Sequence, residues 1–165
     1  RLGKLFKSGR IAKTYWAVVE GQPKENEGEI DLALGRLDAT RGWWMRPDPL
    51  GLPARTSWRT LGRSVDGRLA FIEFTPHTGR THQIRVHMAH IGHPVLGDPL
   101  YATGFKTKAA LLPEKARALV EGLHRQALHA TSLGFDHPRS GEPLLFECPL
   151  PPELAALEAA LTTAE

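Results

Sequence analysis

One cysteine, Cys148, occurs in 165 residues, so no disulfide can form within the chain. No apolar run approaches the roughly 20 residues that a membrane-spanning helix requires, and no signal-peptide pattern is visible in the sequence. Internal repeats and low-complexity linkers are also missing, which excludes solenoids and arrays. Neither sign of charge dominates: 21 Lys and Arg face 18 Asp and Glu, for a net charge of +3. That balance is compatible with a polyanionic partner without demonstrating one. The expectation is one cytoplasmic domain with no membrane segment. At 41% hydrophobic, a chain this long can bury roughly 70% of the surface its unfolded form exposes. The first residue is not methionine, and "RLGKLFKSGR" reads as the end of an amphipathic helix, with Leu2, Leu5 and Phe6 on one side and Gly9 as its cap. The expectation is a trimmed chain whose helix starts earlier.

What is present alternates in period. "KTYWAVVEG" (13–21) is aromatic and β-branched and predicts a strand covered on both faces. "GEIDLALG" (28–35) alternates apolar with polar and predicts a second strand. Residues 36–54 are broken by proline and glycine and predict a long loop or irregular hairpin, with Trp43 and Trp44 packed locally. "ARTSWRTLGRS" (54–64) and "GRLAFIEFTP" (67–76) predict strands joined by a tight turn at "VDG", giving an antiparallel meander. After Pro76 the spacing predicts a helix from about His82 to Ile91, capped by Thr81, with Ile84, Met88 and Ile91 as its buried stripe and Gly92 at its end. A loop (93–105), a helix over 111–122 stopped by Gly122, two strands joined by "RSG", and a closing amphipathic helix follow. The fold class is α+β: a mostly antiparallel mixed sheet with flanking helices.

"GRTHQIRVH" (79–87) concentrates Arg80, His82, Gln83, Arg85 and His87 in one short stretch. Cations at a helix start oppose the helix dipole, so a negative group is expected among them. A phosphate and a buried carboxylate both fit, and a solvated basic turn is the plain alternative. Five of the eight histidines fall between 77 and 93. His87 and His90 share a helical face, but no H-E-x-x-H pattern or cysteine pair supports a metal, and none is expected. Cys148 has no neighbouring base or cation in sequence and is not expected to react.

Three separated motifs, "KTYWAVVEG", "GRTHQIRVHMAHIGHPVLGDPLY" (79–101) and "RQALHATSLGFDHPRSGEPLLFECPLP" (125–151), resemble the RluA family of RNA pseudouridine synthases in the family's order. The resemblance implies the pseudouridine synthase catalytic fold, of which residues 1–165 form the C-terminal part. It implies an isomerase that flips a uridine out of ribosomal or transfer RNA, breaks N1–C1′ and rejoins the base through C5, with no cofactor and no metal. It implies a catalytic aspartate, an arginine that pairs with it and keeps it ionised, and a tyrosine against the flipped base. By position in the motifs, Arg85 resembles that arginine and Tyr15 that tyrosine. Lys13, Arg80, His82 and Gln83 become candidates for contacting RNA or shaping the pocket. Read from the residues alone, Tyr15 is a core tyrosine, Arg85 an ion-pair partner for Asp98, and Lys13 a solvated strand start.

The family's aspartate lies in an "HRLDxxTSG"-type motif before the "KTY" strand, and the expectation is that it precedes Arg1. "GRLDATRG" (35–42) imitates the local order around Asp38, but it follows the "KTY" strand and is expected to be an ordinary turn carboxylate. Two function classes follow: an RNA-modifying isomerase represented by part of its catalytic domain, and a non-catalytic RNA-binding protein that keeps the fold.

Overall fold

In the computed structural model, residues 11–37, 40, 44–102, 112, 114–123 and 126–162 are described. The expected N-terminal helix and Gly9 cap, Asp38, Trp43 and Pro113 lie outside them. Among the described residues there are eight strands and three helices: β1 (Ala12–Glu20), β2 (Glu27–Asp31), β3 (Leu34–Arg36), β4 (Met45–Pro47), β5 (Arg55–Arg63), β6 (Leu69–Pro76), α1 (Gln83–His90), α2 (Glu114–Leu123), β7 (Leu128–Asp136), β8 (Pro143–Glu147) and α3 (Pro152–Thr162).

Six strands make one antiparallel sheet in the order β2-β5-β6-β1-β7-β8. The expected meander holds for β5 and β6, but β1 is inserted between β6 and β7 rather than pairing with β2. Its composition explains the position. Ala17, Val18 and Val19 are all almost fully buried, and a strand apolar on both faces gains most at the centre of a sheet covered on both sides. Alternation then sorts the core. Val18, Leu69 and Phe71 face α2 and α3, with Val120, Leu123, Leu154 and Leu157. Ala17, Val19, Ala70, Ile72 and Phe74 face the other side, with Ile84 and Met88 of α1.

"GEIDLALG" does not form one strand. It splits into β2, on the large sheet's edge, and β3, which pairs with β4 in a separate two-stranded sheet. Leu32 in the break has its carbonyl bonded to His87 instead of to a neighbouring strand. Gly122 does not stop α2, which continues to Leu123. In α1, Ile84 and Met88 are buried as the spacing predicts, but Ile91 is 36% exposed because the helix ends at His90 and the chain turns away through left-handed Gly92. Thr81 is not the cap either. His82 holds that position at φ 54, ψ 22, the one non-glycine residue with positive φ among the described residues, and its side chain makes no capping bond.

Candidate active site

Lys13 and Tyr15 share parity with Ala17 and Val19 along β1, so they point to the face that carries α1. Next to Tyr15 the β1–β7 register shifts, with Thr14 opposite Ser132 and Tyr15 opposite Ala130. The extra residue is Thr131 of β7, so β7 bends there while β1 keeps its alternation. Across from it, Pro76 closes β6 and the chain passes through Thr78, Gly79 and Arg80 into α1. Between these segments lies an open cavity of about 320 Å³. Lys13, Tyr15, Arg80, His82, Gln83 and Arg85 all line it, together with Thr78, Gln126 and Leu128. Three cations and no carboxylate stand among the described lining residues.

Gln83 is buried and its amide is fully used. Its Oε1 accepts from Thr78 Oγ1 at 2.6 Å and from the Arg80 backbone N–H at 3.1 Å. Its Nε2 donates to the Arg55 carbonyl at 2.9 Å and to Thr56 Oγ1 at 3.0 Å. An amide offers two donors and two acceptor sites, so Gln83 shapes the pocket by tying the 78–80 turn to β5. The chain of bonds continues inward. His87 Nε2 lies 2.9 Å from the Leu32 carbonyl and must donate to it, which makes Nδ1 of the neutral ring the acceptor from Thr56 Oγ1, also at 2.9 Å. Burial holds the His87 pKa below the ordinary histidine value, in keeping with a neutral ring. Both ring nitrogens of His87 are therefore committed to the protein.

Arg85 is 8% exposed and Asp98 1%. The guanidinium forks the carboxylate, Nε to Oδ2 at 2.8 Å and Nη2 to Oδ1 at 2.7 Å. Of the readings available for Arg85, an ion pair with Asp98 is thus present in the fold. Nη1 has no hydrogen bond among the described residues, so the pair leaves part of the cation's donor set unused at the cavity wall. Asp98 Oδ1 also accepts from the backbone N–H groups of Leu100 and Tyr101, at 3.0 and 3.3 Å. Burial works to raise the Asp98 pKa, but these donors and the Arg85 charge outweigh it and the pKa is lowered. The hydrogen bond to Asp98 raises that of Arg85 in turn. A solvated basic turn does not describe this stretch.

The Tyr101 ring stacks over Arg85, whose Cζ is 5.2 Å from the ring centroid. Its hydroxyl accepts from the Met45 backbone N–H at 3.0 Å and lies 2.8 Å from His82 Nδ1. Burial, then the Arg85 charge, lower the His82 pKa, and burial raises that of Tyr15. At neutral pH the cavity therefore presents an uncharged imidazole and an uncharged phenol beside its cations. Arg80 is half-buried, its Nε donating to the Pro53 carbonyl at 2.8 Å. Lys13 Nζ packs near Gly79, where an added Cβ would stand 3.3 Å away.

Tyr101 is a member of this constellation that sequence reasoning did not single out, although "GDPLY" lies inside a quoted motif. Its signal is a matched spacing: Asp98 and Tyr101 are three residues apart, as are their partners Arg85 and His82.

Comparison with known proteins identifies the family. A family model described as RNA pseudouridylate synthase matches residues 1–90. Over 162 residues the chain is 40% identical to ribosomal large subunit pseudouridine synthase D of Nitrosomonas europaea, covering 97% of this chain and 44% of that protein. It is 39% identical over 159 residues to an uncharacterized RNA pseudouridine synthase of Chlorobaculum parvum, covering 93% of this chain and 48% of that one. The chain thus spans about half the length of these curated relatives. Among solved structures, human RNA pseudouridylate synthase domain containing 1 superposes with a TM-score of 0.73 at 28% identity, over 97% of this chain and 62% of that one. With the family model matching more than half of its length, the chain belongs to the RNA pseudouridylate synthase family.

Proposed function

We propose that this chain carries the uridine-binding side of an RNA pseudouridine synthase site and, joined to an aspartate-bearing segment, isomerises uridine to pseudouridine in structured RNA. The observation that carries the reading is the cavity itself: a neutral tyrosine, a buried arginine held by a fork, two further cations, and no carboxylate among the described lining residues. Its volume lies within the range of small-molecule pockets, roughly 300 to 1,000 Å³. A base inside a helix is out of reach of such a pocket, so the uridine enters flipped, at a cost of a few kcal/mol in unstacking.

Tyr15 lies against the flipped base as an uncharged ring. Arg85, oriented by Asp98, offers Nη1 to the incoming aspartate and keeps it ionised. The family resemblance puts that aspartate in an upstream "HRLD"-type motif. The carboxylate acts at the ribose, attacking C1′ or taking the C2′ proton. The N1–C1′ bond breaks, the base turns, and C5 bonds to C1′ as the aspartate leaves that carbon or returns the C2′ proton; the hydrogen at C5 then leaves as a proton and N1 takes one up, so that the product is an isomer of the substrate. Lys13 and Arg80 suit the RNA backbone, while Gln83 holds the pocket's shape. The name of the Nitrosomonas relative favours large-subunit ribosomal RNA as the first substrate to test.

The assay is tritium release from RNA labelled at uridine C5. The chain extended upstream through the aspartate motif is expected to release tritium from large-subunit ribosomal RNA. Release from neither ribosomal nor transfer RNA refutes the proposal. Arg85→Lys in that protein is expected to depress turnover far more than RNA affinity, because an ammonium cannot hold the Asp98 fork and a second carboxylate together. Equal losses in both would mark Arg85 as a phosphate contact.

A further inference from the structure

Two elements distant in sequence meet side chain to side chain over the same spacing. Asp98 grips Arg85 and Tyr101 grips His82, so the turn formed by residues 98–101 closes over the first turn of α1 like a two-pronged clamp. The clamp is itself braced. Asp98 Oδ1 collects the backbone N–H groups of Leu100 and Tyr101, which sets the turn. Tyr101 Oη accepts the Met45 N–H, which ties it to β4. Leu34, Ala54 and Val86 form a small apolar cluster with Tyr101 and Met45 packed against it.

We propose that Tyr101 is a positioning residue that fixes His82 as the Nε2–H tautomer and so presents a neutral N–H donor to a carbonyl oxygen of the bound uracil. The inference rests on the synthase reading for the identity of the ligand. Its geometry stands on the bonds of Tyr101. With the Met45 N–H already directed at Oη, the phenolic proton is the one available to bridge the 2.8 Å gap to His82 Nδ1. An Nδ1 that accepts leaves the ring proton on Nε2. Among the described residues Nε2 has no hydrogen bond, and His82 lines the cavity. The backbone supports the assignment. His82 sits in the left-handed region, a strained conformation for a non-glycine residue and one that clusters at functional sites. A glycine or asparagine would adopt it more easily, yet neither carries an imidazole. Charge favours a carbonyl as ligand: a neutral donor suits the O2 or O4 of uracil, whereas Lys13 and Arg80 are the groups suited to phosphate.

Two measurements decide the matter. The first is nitrogen NMR of the histidine rings in the 165-residue chain at neutral pH, with the His82 signals identified by their loss in His82→Gln. A bare Nδ1 and a protonated Nε2 are expected; a protonated Nδ1 overturns the clamp, whatever the protein does to RNA. The second is a double-mutant cycle on uridine conversion in the upstream-extended protein. Tyr101→Phe is expected to lower kcat/KM about tenfold, the scale of one hydrogen bond. Because Tyr101 acts through His82, Tyr101→Phe with His82→Gln should lose no more than His82→Gln alone. Additive losses overturn the inference. If Tyr101→Phe does not fold, the wild-type tautomer alone decides. An extended protein that converts no uridine in any RNA overturns the synthase reading and the uracil assignment with it, whereas a protonated Nδ1 removes only the clamp.

Discussion

Asp98→Asn tests the buried fork with the smallest change in shape. The substitution keeps one oxygen, which continues to accept from the Leu100 and Tyr101 N–H groups, and replaces the other with an NH₂ that faces an Arg85 N–H. Two ion–ion hydrogen bonds become one bond from the charged guanidinium to a neutral amide oxygen and one donor–donor clash, and the Arg85 charge loses its counterion at 8% exposure. Removing one partner of a buried pair costs about 3 to 5 kcal/mol, because the survivor stays desolvated without compensation. For a domain of this size, about 2 to 4 °C per kcal/mol translates that loss into a fall in Tm of about 6 to 20 °C. Urea unfolding at neutral pH measures the loss directly. The acid limb supplies a second check. The folded Asp98 pKa is lowered from 3.8, so its stabilisation is fully present above that value and is lost as pH falls through the lower folded value. The gap between wild type and Asp98→Asn should therefore stay constant down to about pH 4 to 5 and close in stronger acid. A loss under about 1 kcal/mol at neutral pH would refute the buried fork, since that is the scale of an exposed pair.

Thr56→Val should cost about 1 to 3 kcal/mol in the same assay, by stranding His87 Nδ1 and one Gln83 N–H in a site with no exposure; a neutral outcome would mean that the inward hydrogen-bond chain does not form. His87 and His82 both have folded pKa values below 6.5, so the unfolded chain binds more protons near pH 6. Stability should rise with pH through that region and level off above it, with a slope of at most about 1.4 kcal/mol per pH unit per group. Unfolding free energies measured from pH 5 to 8 that stay flat would count against neutral, buried rings. In RNA binding, Arg80→Ala should weaken affinity and reduce the log–log salt slope by about 0.7 to 0.9, the release of one counterion; an unchanged slope would remove Arg80 from the phosphate contacts.

The parts of the fold legible in sequence are those whose side chains have one dominant interest. β1 and β6 carry unbroken apolar runs, and both sit at the centre of the sheet. The strand break inside "GEIDLALG" is invisible to alternation because its cause is distant: the Leu32 carbonyl is bonded to His87, 55 positions away. The six candidate residues were legible through motif likeness, and they do share one cavity. Tyr101 was not, because its role depends on a turn bringing it back across 19 residues to His82. Asp98 was visible only as one of several partners for Arg85, since nothing in local spacing distinguishes a fork from a solvated turn.

Helix α1 shows why hydrophobic periodicity fails at a site of this kind. Gln83, Arg85 and His87 are buried alongside Ile84, Val86 and Met88, so its burial does not follow an apolar stripe. Buried polar groups are tolerated where they are hydrogen-bonded, and here each has found partners: Gln83 with the 78–80 turn and β5, Arg85 with Asp98, His87 with Thr56 and Leu32. A helix held in this way is fixed in rotation as well as in depth, because a hydrogen bond constrains angle where an apolar contact does not. That constraint puts Arg85 and His82 at the wall of the cavity, and it gives the left-handed backbone at His82 a physical reason: the chain enters the helix already turned toward Tyr101. An apolar α1 with the same stripe would pack against the sheet equally well, but it would leave the rotation of the first turn, and with it the aim of every donor in the pocket, undetermined.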